Sequence, residues 1–434
     1  MLKNTDPKLY NLIEKEQIRQ YEHLELIASE NFTTKPVMEA LGSCLTNKYS
    51  EGEVGKRYYG GNEYIDQIEQ LCKDRALSLY KLSPNEWGVN VQPYSGSIAN
   101  WIAYNALLEP NDKIMGLNLP DGGHLTHGYK LDNGKNISAT SKYFASKPYY
   151  TDNNGFIDYD KLESDAVEFE PNLIICGASA YPRDLDYEKF RKVADSVNAY
   201  LVCDMAHISG LVATGEHNNP FDYCDIVTTT THKTLRGPRA GMVFYKKKYE
   251  NQVNFSCFPS VQGGPHENNI AAIATCLYQA STPNFKEYIK QVKINAKILA
   301  AELQKLGYKI QTGGTDNHLL LIDLKPHNIN GGKIEKVLEM VNITVNKNTV
   351  KGDQKAFNPN GIRLGTAALT SRGMKEDEFI KIAHFFNDAV KIAIGIQTDT
   401  GKLLKNFLPA MEQNNDLLAL KEKVKEFAIL YGMP

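Results

Sequence analysis

Two stretches of this sequence end an apolar run with a group that can do chemistry. Tyr200-Leu201-Val202-Cys203 leads into Asp204 and then Met205-Ala206-His207, while Ile226-Val227-Thr228-Thr229 leads through Thr230-Thr231-His232 into Lys233 and then Thr234-Leu235-Arg236-Gly237. A carboxylate leaving an apolar strand costs free energy unless a charged or hydrogen-bonding partner meets it. As neighbouring strands of one sheet, the two runs deliver an acid and an amine to the same sheet edge. Such a pair has two uses. It can be a buried structural ion pair, or the amine can form a Schiff base with an aldehyde cofactor whose ring nitrogen the acid keeps protonated, so that the ring absorbs electrons. Pyridoxal phosphate is the cofactor that needs both groups. The pair alone leaves both readings open.

Its neighbours add to the second. Gln92-Pro93-Tyr94-Ser95-Gly96-Ser97-Ile98-Ala99-Asn100 runs into a helical stretch, Trp101 to Leu108. Small residues at a helix start leave backbone N–H groups free, and with two hydroxyls they suit a phosphate dianion; the bland alternative is a simple N-cap. Asp121-Gly122-Gly123-His124-Leu125-Thr126-His127-Gly128 is a glycine-bracketed loop with two histidines. It lacks the adjacent glutamate of H-E-x-x-H and no third ligand is evident, so no metal is expected. A histidine on such a loop can lie flat against a pyridine ring, which is the use expected of His124.

The elements that must position these groups follow from the pattern. At 434 residues the chain suggests two or three units. Between about residues 85 and 250, buried-strand runs (113–117, 173–176, 200–203, 226–229, 241–245) alternate with helical stretches such as Tyr187 to Asn198, as in a mostly parallel sheet covered by helices. Ligands in such sheets gather at the carboxyl ends of strands. After Pro283 the residues Ile289, Val292, Ala296, Leu299, Leu303 and Leu306 line one helix face ended by Gly307. A strand at 319–322 and a helix from Glu376 to Ala393 complete a smaller α+β unit. The expected organisation is an N-terminal arm over 1–45, a large domain over 46–280 and a small domain over 281–434.

Composition narrows the partners. Lys and Arg (49) balance Asp and Glu (51), so no overall field recruits nucleic acid or an anionic membrane. No window reaches the roughly 18 apolar residues of a membrane span, and no signal core opens the chain. The seven cysteines (44, 72, 176, 203, 224, 257, 276) are scattered, with no C-x-x-C pair. A reducing, cytoplasmic setting is expected.

Taken in order from about residue 10 to 395, Leu26-Ile27-Ala28-Ser29-Glu30-Asn31, Asn47-Lys48-Tyr49-Ser50-Glu51-Gly52, Lys56-Arg57-Tyr58-Tyr59-Gly60-Gly61, the Gly122–Gly128 loop, Asp204-Met205-Ala206-His207, Thr230–Leu235, Gln262-Gly263-Gly264-Pro265 and Gly361-Ile362-Arg363-Leu364-Gly365-Thr366 together resemble the serine hydroxymethyltransferase family. The resemblance implies an aspartate aminotransferase-like α/β fold, pyridoxal phosphate as a Schiff base on Lys233, tetrahydrofolate as co-substrate and a homo-oligomer, at least a dimer, with shared sites. It implies conversion of serine and tetrahydrofolate to glycine and 5,10-methylenetetrahydrofolate, a reaction of one-carbon metabolism and glycine biosynthesis.

Residue by residue, Ser95, Gly96 and Ser97 resemble the phosphate cup, with Ser179 also a cofactor contact and Tyr49 and Gly264 contributions from the partner subunit. Asp204 matches the ring-nitrogen acid, His124 the stacking ring and His207 the group facing the phenolic oxygen. Thr230 and His232 flank Lys233. Arg363, helped by Ser29, resembles the clamp on the substrate carboxylate, a role that a planar, bidentate guanidinium serves better than a lysine. Glu51 is the acid/base candidate, with Tyr58 and Tyr59 beside it, because a proton must leave the serine hydroxyl. Leu119, Gly123, Leu125, Tyr58 and Asn348 sit where the family contacts folate.

The chain departs from the family's usual pattern at Glu53-Val54, where Tyr-Pro is usual, and at Lys351 and Ala367, each in place of a proline. The first change adds a carboxylate near Glu51 and frees the backbone φ angle. Rival readings are a folate-independent threonine aldolase, an aminotransferase, or a catalytically silent homologue that binds RNA. Glu51 and the folate positions speak against the first two, and the kept Lys233, Asp204 and Arg363 with a neutral net charge speak against the last.

Overall fold

The computed structural model describes residues 1–131, 133–353 and 358–434. The chain packs as two units, one of Thr33–Lys290 and one of Met1–Phe32 together with Gln291–Pro434.

The larger unit is built on one sheet of seven strands: β1 (Trp87–Asn90), β2 (Lys113–Leu117), β3 (Ala145–Tyr149), β4 (Leu173–Gly177), β5 (Tyr200–Asp204), β6 (Ile226–Thr230) and β7 (Gly241–Lys246), ordered β1-β7-β6-β5-β4-β2-β3. The strands β2 to β6 pair in parallel, and β7 runs antiparallel to both β1 and β6. This is the mostly parallel sheet expected. Both faces are covered, which is why the strands read as unbroken apolar runs. Ile174, Cys176, Leu201, Cys203 and Val227 join the core on one face, and Leu173, Ile175, Val202 and Ile226 the core on the other. Each such Ile or Leu contributes about 1.5–3 kcal/mol by leaving water.

Four helices matter for the site: α1 (Glu63–Leu79), α2 (Gly96–Leu107), α3 (Tyr187–Ser196) and α4 (Glu267–Ala280). Cys72 and Ala76 of α1, Phe190 and Val193 of α3, and Ile270 and Ile273 of α4 bury in the first core; Ile102, Ala103 and Tyr104 of α2 bury in the second. Helix α3 shows the local logic. Asp186 accepts from the Lys189 N–H at 3.0 Å as N-cap, Tyr187, Phe190, Val193 and Ala194 face the sheet, and the helix ends before Asn198, which turns left-handed at φ 55°.

The second unit has an antiparallel sheet of β8 (Lys309–Ile310), β9 (Leu319–Asp323), β10 (Asn346–Asn348) and β11 (Gly361–Gly365), ordered β8-β9-β11-β10. Its core joins Leu320, Ile322, Ile362 and Leu364 with Leu299 and Leu303 of α5 (Pro283–Lys305) and Phe379, Ile382 and Phe386 of α6 (Glu376–Thr400). The N-terminal segment belongs here because Leu24 and Glu25 pair in parallel with Ile343 and Thr344. This is an α+β unit, smaller than the first, as expected.

Candidate active site

Asp204 closes β5, Thr230 closes β6, and Lys233 lies three residues past Thr230, so parallel pairing of β5 with β6 brings all three to one sheet edge. Helix α2 starts at that edge too. A Cβ on Gly96 would stand 2.4 Å from Cγ2 of Thr230, so only glycine lets the helix begin this close to the end of β6. Ser95, its N-cap, makes no side-chain cap bond, which leaves the first-turn N–H groups of α2 to other partners. Ser95 and Gly96 are half-buried and Ser97 is exposed.

Asp204 is 9% exposed, yet its carboxylate is fully committed. Oδ1 accepts from the Ala206 N–H at 3.0 Å; Oδ2 accepts from Asn100 Nδ2 at 2.8 Å and from His127 Nε2 at 3.1 Å. Burial pushes the carboxyl up, but the hydrogen bond from His127, with His124 and the Lys233 ammonium nearby, outweighs it and holds the group well below the usual carboxylate range. The His127 tautomer follows from its other side: Nδ1 accepts the His124 N–H at 3.3 Å, so the proton sits on Nε2 and points at Asp204. Asn100 is anchored in turn, accepting from Thr228 Oγ1 at 2.5 Å and donating to Thr126 Oγ1 at 2.8 Å.

Asn100 and His127 are the supports of Asp204 that the sequence did not single out. Both lay in stretches singled out for other residues, and their common signal is a polar side chain facing a buried acid across α2 and the 121–128 loop.

His124 contacts Thr126 Oγ1 through Nδ1 at 2.7 Å. Burial pushes its imidazole down to about 4, so the ring is neutral at physiological pH. His207 is buried and its carbonyl accepts from Thr234 Oγ1 at 2.8 Å. Burial, with Arg239 and Lys233 adding to it, pushes His232 down to about 3, and its Nδ1 lacks a hydrogen-bond partner among the described residues. Lys233 is 9% exposed. Thr230 donates to the Ala206 carbonyl at 3.4 Å.

The loop after β2 carries Leu119, Gly123 and Leu125. Gly123 is required for packing, since a Cβ there would meet the Leu117 carbonyl oxygen at 1.8 Å. Ser179 docks on the same loop, its N–H donating to the Gly122 carbonyl at 2.8 Å.

Glu51 belongs to a second cluster in this unit. Its Oε1 accepts from the Tyr49 hydroxyl at 3.3 Å. The Tyr49 ring meets Tyr59 edge-on at 5.1 Å and lies 3.1 Å from where a Cβ on Gly264 would stand, while Tyr58 packs on Phe258 at 5.4 Å. The Gly264 carbonyl accepts from Tyr94 at 2.7 Å, linking this cluster to the residue before Ser95. The added carboxylate of Glu53 turns to Lys73, at 2.7 Å. Rigidity that a proline would have given comes from Arg57, which donates to the carbonyls of Ser50 (2.9 Å) and Gly52 (2.7 Å) on either side of Glu51.

In the smaller unit Arg363 stands mid-strand in β11, 9% exposed, with Nε donating to Asn346 Oδ1 at 3.1 Å and Nη2 to Ser29 Oγ at 3.4 Å. The structure thus brings Arg363 and Ser29 together. Burial pulls the guanidinium down to about 10, which leaves it charged. Asn348 ends β10 and donates to the Thr349 carbonyl at 2.7 Å.

The residues fit pyridoxal phosphate. An acid held ionised by three hydrogen-bond donors suits a protonated ring nitrogen, an uncapped helix start with two serines suits a phosphate, and a buried lysine completes the set. His124, His127 and Asp204 also place three donor atoms within 4.8 Å, the one such group among the described residues. There, however, the Nε2 proton of His127 is already given to Asp204.

A family model described as serine hydroxymethyltransferase matches residues 2–386. The chain is 56% identical over 449 residues to serine hydroxymethyltransferase 4 of Arabidopsis thaliana, covering all of this chain and 95% of the relative. It is 53% identical over 455 residues to the cytosolic serine hydroxymethyltransferase of Oryctolagus cuniculus, covering 100% and 94%. To the chloroplastic serine hydroxymethyltransferase 3 of Arabidopsis thaliana it is 51% identical over 446 residues, covering 100% and 84%.

Proposed function

The chain belongs to the serine hydroxymethyltransferase family, and from that premise we propose how its side chains divide the work. The protein is a pyridoxal-phosphate-dependent hydroxymethyltransferase that interconverts L-serine and tetrahydrofolate with glycine and 5,10-methylenetetrahydrofolate. When bound, the cofactor supplies an electron sink conjugated to the α-carbon of the amino acid.

In our reading Lys233 is the amine that carries the cofactor, and Asp204 holds the ring-nitrogen proton. The observation that carries this is the ionised, buried Asp204, held by Asn100 and His127 at the sheet edge where Lys233 and the start of α2 lie. Ser95, Gly96 and Ser97 take the phosphate, with Ser179, Tyr49 and Gly264 as further contacts. His124, neutral, offers a flat face for the ring, and His207 faces the phenolic oxygen. Thr230 and His232 shape the wall beside Lys233. Arg363 binds the substrate carboxylate with Ser29, and this sets the angle of the bond to be broken. Glu51 takes the proton of the serine hydroxyl, with Tyr59 beside it. Leu119, Gly123, Leu125, Tyr58 and Asn348 contact folate.

The test is glycine formation from serine with and without tetrahydrofolate. Lys233→Ala should lose about a thousandfold or more of turnover, and Glu51→Gln about a hundredfold or more. A Lys233→Ala protein that keeps wild-type turnover sinks the assignment.

We further propose a homo-oligomer, at least a dimer with shared sites, working in the cytosol. Exposed Tyr49, Tyr58 and Tyr59 beside Glu51 support the first, and seven free thiols support a reducing compartment. One relative is named cytosolic and another chloroplastic, so cell fractionation is the deciding measurement.

A further inference from the structure

Glu267 opens α4 at 1% exposure, and its Oε1 accepts a 2.6 Å hydrogen bond from the Ser50 hydroxyl, itself fully buried. Its Oε2 has no hydrogen-bond partner among the described residues. Ser50 directly precedes Glu51. The segment that ends in Glu267 also reaches Glu51 from a second direction, because a Cβ on Gly263 would stand 3.2 Å from Glu51 Oε1 and one on Gly264 would touch the Tyr49 ring that donates to it. One stretch of chain therefore runs beside the carboxylate of Glu51 and hydrogen-bonds the residue before it.

We propose that Glu267 is a positioning residue for Glu51, setting through Ser50 where the Glu51 carboxylate stands against the turn at Gly263 and Gly264. This rests on Glu51 as the proton carrier. A displacement of about 1 Å in a proton-transfer group is costly, because the donor and acceptor must meet within hydrogen-bond reach.

The chemistry of the site makes the hold depend on protonation. As an anion, Glu267 has two charged oxygens and one hydrogen bond. The groups facing it are Glu69 and Asp66 from α1, Arg57 from the 52–57 hairpin and Ser50. Burial first and Glu69 second push the carboxyl up to about 7, against the opposing pull of Ser50 and Arg57. Near neutral pH the group passes from a neutral acid that fits its site to a buried anion opposed by Glu69.

Variants Glu267→Gln, Glu267→Ala and Ser50→Ala are compared in the holoenzyme, with cofactor absorbance and circular dichroism checking that each is folded and loaded. Glu267→Gln keeps an acceptor for Ser50 and cannot ionise, so it should match wild type below pH 6 and lose the change in kcat that wild type shows near pH 7. Glu267→Ala and Ser50→Ala should each lower kcat about tenfold with the serine KM within about twofold. Exchange of the glycine α-proton in heavy water, which involves no hydroxyl proton, should be unchanged.

In a Glu51→Gln background the Glu267→Ala effect should vanish, since the two act through one group. An equal loss in both backgrounds, an equal loss of glycine exchange, or a wild-type kcat and pH profile in all three variants would overturn the proposal. If Glu51→Gln itself turns over normally, the assignment beneath it falls instead. Should Glu267→Ala not fold, Glu267→Gln and Ser50→Ala carry the same decision.

Discussion

Asp204 keeps a negative charge where little water reaches it, because three hydrogen-bond donors supply what water would have given. Asp204→Asn should therefore fold while losing about a hundredfold in kcat, the scale of one charge-assisted interaction of about 1.5–3 kcal/mol. His127→Ala should lose less and also raise the Asp204 carboxyl, visible as an acid limb moved upward in the pH–rate profile. Glu267 gives a stability prediction with a definite sign. Its folded-state value, about 7, lies above the ordinary 4.5, so the folded state holds the proton more tightly and stability falls as pH rises from about 4.5 through about 7. Glu267→Gln should melt with wild type at pH 4.5 and above it at pH 8, by on the order of 2–3 kcal/mol at most. Of these residues, Asp204 and Lys233 were legible in the sequence because a charge at the end of an apolar run has few uses. Asn100 and His127 were not, because what they do depends on which strand end α2 and the 121–128 loop face, and no local pattern carries that.

At the scale of elements, the close approach of α2 to β6 constrains the proposed phosphate end of the site. Gly96→Ala places a methyl group 2.4 Å from the Thr230 side chain. It should weaken cofactor retention by about tenfold and destabilise the protein by about 1–3 kcal/mol, the usual cost of overpacking, as dialysis against buffer and thermal melts would show. Strands buried on both faces announced themselves: β2, β4, β5, β6 and β7 all fall where apolar runs were read. The strand β3 did not, since Ala145-Ser146-Lys147-Pro148-Tyr149 carries a lysine and a proline that only an edge strand tolerates. Helix α2 begins five residues before the stretch at Trp101, and its first turn escaped notice as helix because it is small and polar. The hairpin around Glu51 shows the same limit. Losing the usual proline suggested a looser loop, yet Arg57 bonds to carbonyls on both sides of the glutamate.

For the whole molecule, the proposed sharing of sites between subunits has a mixing test. Co-expressed Lys233→Ala and Tyr49→Ala chains should recover about a quarter of wild-type activity, since half the dimers are mixed and each of those holds one intact site. Recovery of none would mean that each chain supplies both groups to its own site. A different consequence comes from the parallel pair that ties Leu24 and Glu25 to Ile343 and Thr344. During synthesis the first 32 residues leave the ribosome long before their partners are made; at about 5–20 residues per second the delay is roughly 15–60 seconds. Throughout that interval the nascent Thr33–Lys290 segment can fold while Leu24 and Leu26, fully buried in the finished protein, wait for the strand at Ile343 and Thr344. Chaperone occupancy on translating chains should therefore include residues 24–26 and end there only once residue 344 has cleared the exit tunnel.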